Sequence, residues 1–218
     1  MRTIFWNVDT QYDFMRDDES FRGTLPVPDA REIEGNLAKL TGYAKQNGIY
    51  VVNSADWHRL EDKEIDAENP DLVDTYFPHC MAGTKGAEYI PATRPMDNIY
   101  RLTRDAQNVD AEKIVKARNL VIEKYEFDVF SGNSLTSEAI DILNPENVVL
   151  YGVALNVCDN FAVMGNVKKG RNVYAVMDAM RDLPHLVGTP LEAKVVLKNW
   201  EEAGVNFVTT KDVLEGRV

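Results

Sequence analysis

Residues 148–158, VVLYGVALNVC, decide the architecture of this chain. Val148–Val153 is an apolar run that reads as a strand, and a helix follows it from near Asn156 to Gly170. Cys158 falls in the first turn of that helix. A strand feeding directly into a helix is one half of a parallel crossover.

The same alternation extends in both directions. Upstream, Ile4–Val8 reads as a strand ending at Asp9. Asp29 and Glu32 fit the two ends of a capping box, Ile33, Leu37, Leu40 and Ala44 follow at helical spacing, and Gly48 stops that helix. Ile49–Asn53 is a second strand. A modest helix over Asp110–Arg118, a third strand over Leu120–Glu123 and a helix over Ser134–Leu143 lead to the strand at 148–153. Downstream, Val173–Met177 is a fifth strand. Thr189, Pro190 and Glu192 supply the cap, first turn and capping box of a last long helix that Gly204 ends. Val205–Val208 is the sixth strand. The pattern predicts an α/β fold: a doubly wound, six-stranded parallel sheet with helices on both faces, in a single domain over residues 1–218.

Composition agrees with a globular enzyme-sized domain. The 218 residues are 44% hydrophobic and 27% charged, with a net charge of −11. That acidity argues against a nucleic-acid partner, which calls for clustered Lys and Arg. No stretch approaches the roughly 18 apolar residues of a membrane helix, so no membrane partner is expected. The opening MRTIFWNVDTQYDF has no long apolar run before Asp9 and is not read as a signal peptide. Two cysteines, Cys80 and Cys158, form no disulfide framework, and a reducing cytoplasm is the simplest expectation.

In open parallel sheets, ligands bind beyond the carboxyl ends of the strands. Asp9 stands at the end of strand one, Asp56 and His58 after strand two, Lys124 after strand three and Cys158 after strand four. A helix N-terminus and a neighbouring ammonium both favour a thiolate, so Cys158 is the candidate nucleophile with Asp9 and Lys124 as its catalytic partners. Taken singly, each has a plainer reading: a small buried hydrophobe, a turn carboxylate, a snorkelling lysine. Their convergence on one edge overrides those readings. Cys80 sits in an irregular loop and is the minor candidate.

Residues 55–96 break the strand–helix rhythm, and an irregular segment this long is more often functional than incidental. It holds two of the three histidines. Asp56, His58 and His79 offer one oxygen and two nitrogens, a set suited to zinc, with manganese or iron(II) as alternatives. Glu64, Glu68 and Asp71 are candidates for a fourth ligand. His185 has no such company and reads as structural.

With these residues in place, the chain resembles the nicotinamidases within the isochorismatase-like cysteine hydrolases, over nearly its full length. Asp9-Thr10-Gln11-Tyr12-Asp13-Phe14 is similar to that family's opening DxQxDF motif, and Asp56-Trp57-His58 to its DxH. Phe77-Pro78-His79-Cys80, Gly83-Thr84 and Gly86-Ala87-Glu88 resemble the segment around the third metal ligand. Lys124 with Asp128-Val129-Phe130-Ser131 fits the catalytic-lysine segment, Gly152-Val153-Ala154 leading to Cys158 the nucleophile motif, and Met177-Asp178-Ala179 the strand after it. Leu155, Asn156 and Asp159 depart from the family's usual residues around the cysteine. Phe77 replaces a common tryptophan in a segment one residue shorter, and residues 90–118 form a longer insert.

The resemblance implies a metal-dependent amidohydrolase acting on a small-molecule amide, with nicotinamide cleaved to nicotinate and ammonia through a thioester. It implies a cis Val153–Ala154 peptide, an oxyanion hole from the N–H groups of Ala154 and Cys158, Phe14 and Phe77 packed on the substrate ring, and a homo-oligomer. The alternatives are a related hydrolase of another amide or an N-carbamoyl compound, and a non-catalytic binding module of the same fold.

Overall fold

Alternate residues of the first strand belong to opposite layers, and this places the sheet at the centre of the molecule. The computed structural model describes residues 2–218. In β1 (Thr3–Val8), the Phe5 ring stacks on Tyr43 while the Trp6 ring packs against Phe130. Tyr43 lies on α2 (Glu34–Asn47), which follows the short helix α1 (Tyr12–Met15) and the small hairpin of β2 (Asp17–Asp18) and β3 (Phe21–Arg22). Phe130 lies on α4 (Val129–Gly132), beyond α3 (Ala111–Lys116) on the chain. Helices therefore cover both faces, which is why β1 is apolar on both.

The main sheet has seven parallel strands rather than six. β4 (Tyr50–Asp56), β5 (Ile99–Leu102), β6 (Asn119–Lys124), β7 (Asn147–Val153), β8 (Asn172–Arg181) and β9 (Asn206–Val208) join β1 in the order β5-β6-β4-β1-β7-β8-β9. The additional strand is β5, within residues 90–118. It pairs only with β6 at the sheet edge and leaves Ile99 exposed, so its sequence, IYRL, lacks the apolar run of a central strand.

Other boundaries shift for local reasons. Asp29 has φ 57° and makes no side-chain cap, so the expected capping box is absent and a 3-10 turn over Ala30–Ile33 precedes α2. Gly48 (φ 63°) does end α2, its left-handed conformation letting its N–H reach the carbonyls of Ala44 and Lys45. Beyond α5 (Thr136–Leu143) and α6 (Cys158–Lys168), the last long helix is α7 (Ala193–Glu202). It starts after Glu192, because the Thr189 and Glu192 side chains accept from Leu191 and Gly188 in the preceding turn. The capping box lies instead at α8 (Thr210–Leu214), where Thr209 and Asp212 bond reciprocally. Among the described residues, no helix is long and apolar enough to cross a membrane.

The chain leaves β1 toward β4 on one side and returns to β7 on the other, so the switch in strand order falls between β1 and β7. A crevice opens at such a point. The two strands approach closely there: Gly152 has φ 141°, and a Cβ on it would lie 2.1 Å from the Val8 carbonyl oxygen. A side chain would push apart the two strand ends that carry Asp9 and Cys158.

Candidate active site

Asp9, Lys124 and Cys158 come from three different strand ends and meet in a buried cluster. Lys124 Nζ lies 3.0 Å from Asp9 Oδ2 and 3.5 Å from Cys158 Sγ. It also ion-pairs with Asp56 Oδ1 and donates to the Glu126 carbonyl at 3.2 Å. One ammonium thus joins the thiol, the Asp9 carboxylate and the Asp56 carboxylate.

Burial dominates the protonation of this cluster. It pushes the Cys158 thiol well up, outweighing the pull of Lys124. That direction opposes the thiolate which the helix end and the lysine by themselves favour. Asp9 is pushed up as well, by burial first and with the Asp56 charge adding to it against Lys124. Lys124 is driven well above the ordinary lysine range, because Asp56 and Asp9 overcome the burial that opposes them. The Asp9 carboxylate and the Cys158 sulfur lie within 4.8 Å of each other, so a single proton can pass between them.

Cys158 is the first residue of α6, and the Val153–Ala154 peptide before it is cis. The Val157 and Asp159 N–H groups both donate to the Ala154 carbonyl. Among the described residues, the N–H groups of Ala154 and Cys158 donate to nothing, so both are available to an oxyanion. Asp159 is fully buried, neither carboxylate oxygen has a hydrogen-bond partner among the described residues, and burial followed by Asp9 drives its carboxyl well up.

Asp56, His58 and His79 form a second cluster whose ligand atoms all lie within 4.8 Å of one another. Asp56 divides its carboxylate: Oδ1 faces Lys124, while Oδ2 lies 3.7 Å from His58 Nε2 and 4.0 Å from His79 Nε2. His79 Nδ1 bonds the Phe77 carbonyl at 2.8 Å, which leaves Nε2 free, and neither buried nitrogen of His58 has a hydrogen-bond partner. Orphaned imidazole nitrogens around a carboxylate oxygen fit a divalent cation. Burial and the neighbouring His58 hold His79 down at about 4, so it is neutral and able to ligate.

The fourth-ligand candidates stand apart. Glu68 and Asp71 are exposed, and Asp71 Oδ1 accepts from the Val73, Asp74 and Thr75 N–H groups. Glu64 is buried but outside the cluster, and its Oε1 accepts from the Phe127 N–H at 2.5 Å. A further trio, Asp9, Asp56 and Cys158, also has metal-like spacing, but Lys124 already occupies its centre.

Two supporting residues, Asp62 and Arg104, carry no signal in the sequence. Asp62 Oδ2 lies 3.4 Å from His58 Nδ1 and is held by Arg104 through two bonds of 2.6 and 2.7 Å. Arg104 follows β5, which gives this segment a role in backing His58. The DxQxDF-like opening also works mechanically. Gln11 Nε2 donates to the Asp56 carbonyl at 2.7 Å and its Oε1 accepts the Asp56 N–H at 2.8 Å. Asp13 Oδ2 accepts the Cys80 N–H at 2.7 Å, fixing the loop beside His79.

A cleft between the two clusters is walled by Phe14, Leu25, Val27, Tyr76, Phe127, Val157 and Leu183, with Asp56, His79 and Cys158 at its base. Phe14 is where the sequence places a ring contact. Phe77 is not: it is 49% exposed and absent from the cleft, and Tyr76 takes that wall instead. The Tyr76 ring turns inward, edge-on to His79 and Phe127, and the next side chain, Phe77, faces solvent. Cys80 is fully buried behind the loop, its thiol directed at the Gly86 carbonyl at 3.8 Å. His185 bonds the Leu72 carbonyl at 3.0 Å, which joins the two loops that carry them. A larger hollow between α2 and residues 93–97 shares no residue with this cleft and holds neither cluster.

A family model described as the isochorismatase domain matches residues 3–212. No curated protein sequence matches significantly. Among solved structures, pyrazinamidase of Pyrococcus horikoshii in complex with zinc is 20% identical, with 96% of this chain and 99% of that one covered and a TM-score of 0.71. Nicotinamidase from Bacillus subtilis is 22% identical over 95% and 99%, with a TM-score of 0.68. N-carbamoylsarcosine amidase from Thermoplasma acidophilum is 20% identical over 96% and 97%, also at 0.68. At these identities the likeness establishes the shared fold.

Proposed function

The chain belongs to the isochorismatase family, and from that premise we propose that it is a metal-dependent cysteine amidohydrolase that converts nicotinamide to nicotinate and ammonia. The observation that carries this reading is the cleft. Its walls beyond Asp56, His79 and Cys158 are aromatic and aliphatic, and among its described lining residues there is no arginine or lysine. A flat neutral ring suits such walls. A substrate with its own carboxylate, such as an N-carbamoyl amino acid, would enter without a counter-ion and lose its hydration.

Asp56, His58 and His79 would hold a divalent cation, zinc by the donor set, whose chemistry there is to bind the ring nitrogen and so orient the carboxamide. Asp9 takes the proton of the Cys158 thiol, and the sulfur forms a bond to the amide carbon. The oxygen of that carbon takes the electron pair and lies against the Ala154 and Cys158 N–H groups. Asp9 returns the proton to the nitrogen, the C–N bond breaks and ammonia leaves. Asp9 then accepts a proton from water, which adds to the thioester carbon, and the C–S bond breaks to release carboxylic acid and thiol. Lys124 holds Asp9 in place throughout.

Ammonia release from zinc-loaded protein, measured on nicotinamide, benzamide and N-carbamoylsarcosine, tests the reading. Nicotinamide should exceed benzamide by on the order of 10²-fold in kcat/KM, since benzamide keeps the ring and amide but lacks the ligating nitrogen. Equal rates on the two would remove the orienting role of the metal site. Turnover of N-carbamoylsarcosine alone would replace nicotinamide as the substrate class.

A further inference from the structure

Tyr76 carries a polar atom that the proposed reaction does not use. Its ring stands edge-on to Phe127 (5.9 Å, 78°) and to His79 (6.1 Å, 79°), as one wall of the cleft. The residue is 2% exposed, and among the described residues its buried hydroxyl has no hydrogen-bond partner. Burial pushes that hydroxyl up to about 12.

The remaining walls are Phe14, Leu25, Val27, Phe127, Val157 and Leu183, none of which has a polar side-chain atom. Phenylalanine would supply the same apolar surface without the unpaired oxygen, and a buried hydroxyl left unpaired is destabilising. In nicotinamide the ring nitrogen and the carboxamide lie at the metal site and at Cys158, and the ring carries no further polar substituent for that wall.

We propose that Tyr76 is a specificity-determining residue whose hydroxyl bonds a ring hydroxyl or amino group, so that the preferred substrates are substituted pyridine carboxamides rather than nicotinamide itself. The inference rests on the reading above that an aromatic carboxamide fills the cleft. A site built to bond a polar substituent discriminates against the analogue that lacks it, because the protein group is then left unpaired.

The test compares nicotinamide with its monohydroxylated and monoamino derivatives on zinc-loaded wild-type and Tyr76→Phe protein. At least one derivative should surpass nicotinamide in wild type. The ratio of its kcat/KM to that of nicotinamide should fall about tenfold in Tyr76→Phe. An unchanged ratio, whether both rates drop together or neither does, overturns the proposal and leaves Tyr76 a packing residue. Calorimetric binding of the same panel to Cys158→Ala protein decides the question if Tyr76→Phe does not fold or if no carboxamide is cleaved. Tighter binding of a substituted ring supports the proposal, and equal or weaker binding overturns it. Failure of the functional reading itself appears separately, as cleavage of N-carbamoylsarcosine with no carboxamide hydrolysed.

Discussion

Asp56 and Lys124 are register partners on adjacent parallel strands, and their side chains form an ion pair in a fully buried setting. That single contact links the Asp/His/His cluster to the thiol, because Lys124 touches Asp9 and Cys158 as well. Removing the ammonium leaves two carboxylates buried without a cation. Lys124→Met should therefore cost about 3–5 kcal/mol in metal-free protein and abolish turnover. Urea unfolding measures the first and ammonia release the second. Wild-type stability in the variant would show that the carboxylates find another partner.

Cys158→Ala removes the sulfur that lies 3.5 Å from Lys124 and should end turnover with the fold intact. Cys80→Ala should keep activity within about tenfold, since that thiol makes only a weak bond to Gly86 behind the loop. Circular dichroism checks the fold, and the ammonia assay ranks the two. The reverse ranking would move the nucleophile to Cys80.

The histidine cluster makes a prediction about metal rather than rate. His58→Ala and His79→Ala should each lose bound zinc by plasma emission. Asp62→Asn should weaken zinc about 10–100-fold in a chelator competition, because Asp62 backs the His58 ring from 3.4 Å. Stoichiometric zinc in either alanine variant would take that histidine out of the site, and unchanged affinity in Asp62→Asn would make its contact incidental.

Glu64 gives a pH dependence with a definite sign. Burial first, and then the charge of Asp56, raise its carboxyl from 4.5 to about 8 in the folded protein. Below about 4.5 the carboxyl is protonated folded and unfolded alike. As pH rises from there to about 8, the unfolded chain loses this proton while the folded one keeps it. Stability of the metal-free protein therefore falls across that window. Glu64→Gln retains an acceptor for the Phe127 N–H and does not titrate. Its stability relative to wild type should grow from pH 4.5 to 8 by a few kcal/mol, read from thermal or urea unfolding at each pH. A constant difference would mean that Glu64 is ionised in the fold.

The parallel sheet was legible in the sequence because its central strands are buried on both faces and so read as unbroken apolar runs, 148–153 above all. Asp9, Lys124 and Cys158 were legible for a related reason: a parallel sheet gathers the ends of its strands on one edge, and all three stand at such ends. What the linear order could not decide was everything set by contact between distant segments. The edge strand Ile99–Leu102 pairs on one side only, so its residues need no apolar pattern. Asp62 and Arg104 back His58 across 42 positions, through bonds between two loops. Tyr76 rather than Phe77 faces the cleft because the loop leading to His79 sets which aromatic turns inward. The upward push on the Cys158 thiol, too, is a property of tertiary burial: the sequence places a helix end and a lysine beside Cys158, and only the packed structure removes the water around it.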